Sequence, residues 1–233
     1  RLAAKVEDLS SKKGASMFDS RKGKAAVSEV EAKAKEAEKK STQAIIKKLE
    51  DEMGTQRKHV EYVMERLGEI KGEFLKDMNA ELVSQQFSNT FLSQCVFPRC
   101  LFSPEDAMFC AKFAMLLHEE ETPHFPTLNY LDKLMKSIPN SLFCITENEA
   151  KNLALFLKET WKTLNGWRFD EEVYEKEAGS RRSFKAGGKM IEHSSYCSIY
   201  KKWSNLLANV FARCLTSGEY IHARVALIAL NSI

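Results

Sequence analysis

The spacing of apolar positions changes twice along the chain. Residues 1–24 mix lysine, serine, glycine and aspartate without a period, as in Ser10-Ser11-Lys12-Lys13-Gly14, and read as loose or only marginally helical. From Ala25 the sequence turns to alanine, glutamate and lysine, a mixture that favours helix but offers a thin apolar face. A different pattern begins at Ile46. Ile46, Leu49, Met53, Gln56, Val60, Val63, Leu67, Ile70 and Phe74 alternate three-residue and four-residue spacings, a heptad seam with one polar member. Such a seam lays a narrow stripe along one side of a helix. A second helix has to cover it, either from this chain or from another subunit. Gly54, Gly68 and Gly72 each weaken a helix by about 1 kcal/mol relative to alanine, so bends, or a break near Gly68–Gly72, are expected.

Shorter, better-marked helices follow. One runs from Ala80 to about Cys95 and is expected to end at Phe97-Pro98. Ser103-Pro104-Glu105-Asp106 starts the next: serine accepts from free amides, proline occupies the first turn and the acids complement the dipole. Its body, Ala107 to Leu117, carries Met108, Phe109, Phe113 and Met115 on different sides, so it should be covered from several sides and be central. Pro123 and Pro126 punctuate a turn before a helix around Leu128–Ile138. Thr146-Glu147-Asn148-Glu149 is a capping box, with Ala150, Leu153, Leu157, Trp161 and Leu164 on one face beyond it. A short helix over Asp170–Glu177 leads into a loop, Gly179–Gly188. Tyr196, Ile199, Tyr200, Trp203, Leu207, Val210, Phe211 and Cys214 then form a strong stripe, stopped at Ser217-Gly218, and a final helix begins at Glu219.

With no strand pattern in view, these elements predict an all-α protein, an irregular α-solenoid or helical array preceded by a long heptad-patterned helix. The expected divisions are a charged leader (1–42), a long amphipathic helix (43–78) and a C-terminal helical domain (79–233). The chain opens on Arg1 and stops inside an apolar run, so it is expected to be a piece of a longer polypeptide.

Composition changes this picture little. Ten glycines and five prolines in 233 residues argue against many tight turns. The formal charge of +3 divides into +5 over residues 1–50 and −2 over the rest, and a solvated charged segment accounts for the basic leader. No stretch approaches the roughly 20 consecutive apolar residues of a membrane span, so no membrane partner is expected. The cysteines (Cys95, Cys100, Cys110, Cys144, Cys197, Cys214) are irregularly spaced within apolar patterns and read as buried free thiols.

Candidate chemistry is thin. Gly187-Gly188-Lys189 lacks the earlier glycine, the following Ser/Thr and the preceding strand of a phosphate loop. Cys95 and Cys100, with Cys110, His118 and His124 downstream, lack the second tightly spaced pair of a structural zinc site, so neither metal nor cofactor is expected. The five histidines lie in different elements, and no nucleophile turn is present. An enzyme is not expected. Two basic clusters remain. Arg181, Arg182, Lys185 and Lys189 surround Phe184 in the glycine loop, where mobile cations and an aromatic could hold a phosphate backbone and stack a base. Lys12-Lys13, Arg21-Lys22 and Lys24 would add only sequence-independent, salt-sensitive affinity.

Several segments are familiar in order and spacing. Gln94-Cys95-Val96-Phe97-Pro98-Arg99, Phe102-Ser103-Pro104-Glu105-Asp106-Ala107 and Phe109-Cys110-Ala111-Lys112-Phe113 resemble the THO complex subunit 2 family. So do Thr122-Pro123-His124-Phe125-Pro126-Thr127-Leu128, Thr146–Ala150, Tyr174–Glu177 and Ser217-Gly218-Glu219-Tyr220-Ile221-His222-Ala223-Arg224. The likeness spans about 44–233. Ala178-Gly179-Ser180 departs from the family's usual turn after Tyr174–Glu177. The resemblance implies a helical scaffold in a nuclear multisubunit complex for mRNP assembly and mRNA export, partnered by other THO subunits and a DEAD-box RNA helicase. On this reading Ile46, Leu49, Met53, Val60, Val63, Leu67, Ile70 and Phe74 form the partner seam. The alternative is a sequence-independent RNA- or DNA-binding module acting through Arg181, Arg182, Lys185 and Lys189.

Overall fold

The structure is a computed structural model. It describes residues 22–74 and 81–232, with side chains from residue 33 in the first helix and from residue 86 in the second segment. The loose stretch expected before residue 22 and the end of the long helix beyond residue 74 lie outside the described residues. The chain divides into two units, Arg1–Gly68 and Glu69–Ile233. Among the described residues the protein is all-α apart from one tiny hairpin.

Helix α1, Lys22–Ile70, carries both the alanine-rich segment and most of the seam. It stops between Gly68 and Gly72, where weak propensity predicted a break. A Cβ added at Gly54 or Gly68 would meet nothing, so no close approach requires glycine at either position.

In the second unit, two prolines sit inside helical stretches, and at one of them, Pro98, a helix end was expected. Helix α2, Glu81–Phe91, passes through a π turn, Leu92–Val96, into α3, Phe97–Cys100. The Phe97 N–H reaches back to the Leu92 carbonyl, and this wide turn resets the ladder so that Pro98 falls in the first turn of α3. There its missing N–H has no bond to make. Helix α5, Thr127–Leu142, likewise continues past Ile138 through Pro139. An interior proline costs about 3 kcal/mol. Burial of Ile138 and Leu142, each worth roughly 1.5–3 kcal/mol, offsets it.

Helix α4, Pro104–Glu119, starts as expected: the Asp106 N–H donates to Ser103 Oγ at 3.1 Å. It buries Ala107, Cys110, Ala111, Ala114, Met115 and His118, and packs most extensively on α6, Glu147–Phe169. Small residues on both sides, including Ala150 and Ala154 of α6, permit that approach. The expected all-round cover is incomplete. Phe109 is 47% exposed, stacked on Phe113 with the Arg99 guanidinium 4.3 Å from its ring centre.

The Thr146 capping box is present, with both reciprocal bonds made. After α6, Asp170 caps a single turn, α7 (Glu171–Tyr174), which widens into a second π turn, Glu175–Gly179. The loop expected at Gly179–Gly188 contains a hairpin, β1 (Lys185–Ala186) with β2 (Lys189–Met190). Gly187 and Gly188 turn it with φ of +55° and +79°, the sign that a type I′ turn demands at both positions. Helix α8, His193–Thr216, buries Tyr196, Tyr200, Trp203, Leu207, Val210, Phe211 and Cys214, with Ile199 half-buried. Gly218, at φ +79°, breaks the chain before α9, Tyr220–Leu230. Helix α9 packs on α6 and α8, and α5 on α8 and α2.

Phe184, read as a loop aromatic that could stack a base, is fully buried. It lies edge-on to Trp167, Tyr174 and Tyr196, with centroids 5.5–6.1 Å away. A hydrophobe next to polar loop residues is drawn into the core when the hairpin folds back. Phe184→Ala should therefore destabilise the second unit by about 3–5 kcal/mol, read as a lowered urea midpoint, whereas Lys185→Ala should stay within about 0.5 kcal/mol. Equal effects would contradict this packing.

Candidate functional site

The seam residues share one helix as far as Ile70. Leu49, Met53 and Val60 are about half exposed, at 48%, 51% and 56%. Ile46, Val63 and Leu67 are half-buried, and the polar member Gln56 is exposed. In the second unit Ile70 is the last residue of α1, and Phe74, 46% exposed, lies in the turn after the helix rather than on its face. The stripe is flanked by Glu50 and Glu52 on one stretch and by Arg57 and Arg66 on the next. Positions beside a heptad seam select partners by charge.

The four basic candidates do not converge. Arg181 is committed: its Nη1 donates to the Glu119 carbonyl at 2.8 Å and lies 3.8 Å from the Glu121 carboxylate. Arg182, Lys185 and Lys189 are exposed. In the hairpin register Lys185 is opposite Met190, and Ala186 opposite Lys189. Directly opposed residues share a face and successive ones alternate, so Lys185 and Lys189 point to opposite faces. Arg182 and Lys185 line a cleft of about 760 Å³ shared with Glu121, Thr122, Pro123 and His124. Those loop residues were read as a turn and as part of the family resemblance, not as a surface beside Arg182, because only the fold brings residue 122 beside residue 182.

His118 is the most constrained titratable group. It is 1% exposed on the last turn of α4. Its Nε2 donates to the Glu177 carbonyl at 2.8 Å, which fixes the tautomer, and Nδ1 accepts from the Thr127 and Ser183 hydroxyls at 3.0 and 2.8 Å. Burial pushes its pKa below the usual histidine value. This is a structural histidine closing the seat of Phe184, 6.0 Å away.

All six cysteines are free, but only Cys100, Cys110 and Cys214 are buried; Cys95 and Cys144 are exposed and Cys197 is intermediate. Of the latter three, Cys95 lies in the first π turn, Cys144 in the turn after α5 and Cys197 on α8. Burial pushes the Cys100 thiol up to about 12, so it is neutral and unreactive at physiological pH. Cys110 Sγ lies 3.8 Å from the Val96 carbonyl inside the π turn. Among the described residues no cluster of three or more metal-ligating side chains occurs.

Comparison with known proteins bears on these surfaces. The family described as transcription factor/nuclear export subunit protein 2 (Tho2) matches residues 3–233. This chain belongs to the Tho2 family. It is 34% identical over 210 residues to THO complex subunit 2 of Homo sapiens, covering 85% of this chain and 13% of that protein. The Arabidopsis thaliana THO complex subunit 2 is 34% identical over 202 residues, 84% of this chain and 11% of the relative. The Saccharomyces cerevisiae protein is 37% identical over 82 residues, 34% of this chain and 5% of its own length. The chain thus spans only a small part of the relatives it matches.

The depressed pKa of His118 sets a sign for pH dependence. A group harder to protonate when folded stabilises the fold fully above its unfolded pKa of about 6.5 and loses that contribution as pH falls below it. The urea midpoint should therefore drop between about pH 7.5 and about pH 5, and His118→Asn should flatten that drop. A midpoint that rises on acidification, or a slope unchanged in the variant, would contradict the assignment.

Proposed function

We propose that this chain is part of a non-catalytic scaffold subunit of a nuclear THO/TREX-type complex that couples transcription to mRNP assembly and mRNA export. The half-exposed heptad seam of α1 carries the reading. A stripe spaced for knobs-into-holes packing gains its burial from a second helix. In this reading Ile46, Leu49, Met53, Val60, Val63, Leu67 and Ile70 pack on a helix of another THO subunit, with Phe74 closing the end. The second unit, part of an irregular α-solenoid in the longer protein, helps to dock a DEAD-box RNA helicase, and ATP turnover belongs to that partner. Support comes from family membership, from relatives that are THO complex subunit 2, and from a family description that includes a nuclear export subunit.

Apolar docking and charge-driven binding respond differently to salt. A pull-down with this chain from nuclear extract, read by mass spectrometry at low and high salt, should recover THO subunits at both. Val63→Asp should abolish recovery by placing an unpaired charge in the seam. Recovery of RNA alone, lost at high salt and indifferent to Val63→Asp, would contradict the scaffold reading.

A further inference from the structure

The shoulders of the α1 seam restrict its partner further than the apolar stripe does. Ile46, Met53, Val60 and Leu67 take one core position of the heptad, and Leu49, Gln56 and Val63 the other. The positions beside them are then Ile45, Glu52, His59 and Arg66 on one side, and Glu50, Arg57 and Met64 on the other. All of these except Met64 are exposed. Between Leu49 and Val60 the shoulders are polar on both sides, so the apolar stripe is narrow there. One helix covers such a stripe, whereas a bundle of several needs apolar shoulders as well. From Ile46 to Leu67 the stripe runs about 33 Å along α1, the length of roughly three heptads.

The charges on the shoulders are ordered. Glu50 and Glu52 stand on opposite sides of the Leu49–Met53 layer, while Arg57 follows on one side and Arg66 on the other. Glu50, Glu52 and Arg57 make no ion pair among the described residues, so each can still meet a charge from a partner. Gln56 lies between the acidic and the basic stretch and is exposed. Once a partner covers it, its amide needs a hydrogen-bonding group opposite, because a buried amide left unpaired costs more than the bond is worth.

We propose that the seam takes a single heptad-patterned helix that sets basic residues beside Glu50 and Glu52, acidic residues beside Arg57 and Arg66, and a polar side chain opposite Gln56. This inference rests on the scaffold reading of the seam and adds which helix fits it. A partner of uniform charge meets like charge along half of the contact. A partner shifted by one heptad leaves Gln56 against an apolar residue and sets its own polar group against Leu49 or Val63. Charge therefore selects the partner, and Gln56 selects its register.

The test is fluorescence anisotropy of this chain with labelled synthetic peptides of about three heptads, at concentrations too low for the peptides to pair with themselves. All share an isoleucine and leucine core with one central asparagine. Their shoulders are lysine in one half and glutamate in the other, or all lysine, or all glutamate. At about 50 mM salt the split peptide should bind about fivefold tighter than either uniform one. That preference should fade near about 1 M salt, where screening acts over about 3 Å. Glu50→Lys with Glu52→Lys should make the all-glutamate peptide the best ligand. Gln56→Leu should transfer a preference of about threefold from the asparagine-bearing split peptide to its leucine counterpart. Matched thermal melts check that each variant is folded. Equal binding of the three peptides, a wild-type preference for a uniform one, or a self-paired chain that the split peptide does not displace would each overturn the proposal. If no peptide binds while the pull-down still recovers THO subunits and loses them on Val63→Asp, the charge assignment fails and the scaffold reading stands. Peptides bound in the expected order, with no THO subunit recovered, would support the charge assignment and overturn the scaffold reading.

Discussion

His118 and the aromatic rings around it join parts of the chain that sequence keeps far apart. Trp167 comes from α6, Tyr174 from α7, Tyr196 from α8 and Phe184 from the segment before β1, and all five rings lie within 4.9–6.2 Å of a neighbour in the group. Their polar atoms are accounted for. Trp167 Nε1 donates to the Glu177 carboxylate, Tyr174 to the Ile191 carbonyl and Tyr196 to the Leu164 carbonyl, at 2.9, 2.7 and 2.8 Å. Burial raises both tyrosine pKa values, so the hydroxyls remain donors. A cluster this apolar and this fully satisfied tolerates neither a charge nor an orphaned donor. It fixes the π turn after α7 and the hairpin beyond it, and therefore one wall of the cleft.

Much of the second unit could be read from local chemistry. The Ser103 cap, the Thr146 box and the α8 stripe each depend on residues within a few positions, and local pattern reports such features directly. What escaped the sequence depends on distant partners. Pro98 looks like a stop until a π turn accommodates it, and Pro139 is carried inside its helix by buried apolar neighbours. Phe184 looked like a loop aromatic because its four neighbouring rings are supplied by other elements. Lys185 and Lys189 looked like one patch because the hairpin register that parts them is invisible in a glycine-rich stretch.

The two surfaces differ in physical kind. The seam of α1 is apolar, extended and flanked by charges that change sign along it, which suits a helix. The cleft in the second unit, about 760 Å³, is instead lined by polar and charged side chains, Glu121, Arg182 and Lys185 among them. Membership of the Tho2 family is the ground on which the first is proposed to dock on another subunit. The buried core from Leu92 to Ala229 holds the helices of the second unit together.

Hydrogen exchange, followed peptide by peptide on this chain alone and then with purified THO subunits, tests the central claim most directly. The account predicts strong protection of α4, α6 and α8 in both states. Amides over Ile46–Leu67 should exchange quickly in the isolated chain and become protected only when the other subunits are added. Protection of that stretch in the isolated chain, or none gained in the assembly, would contradict it.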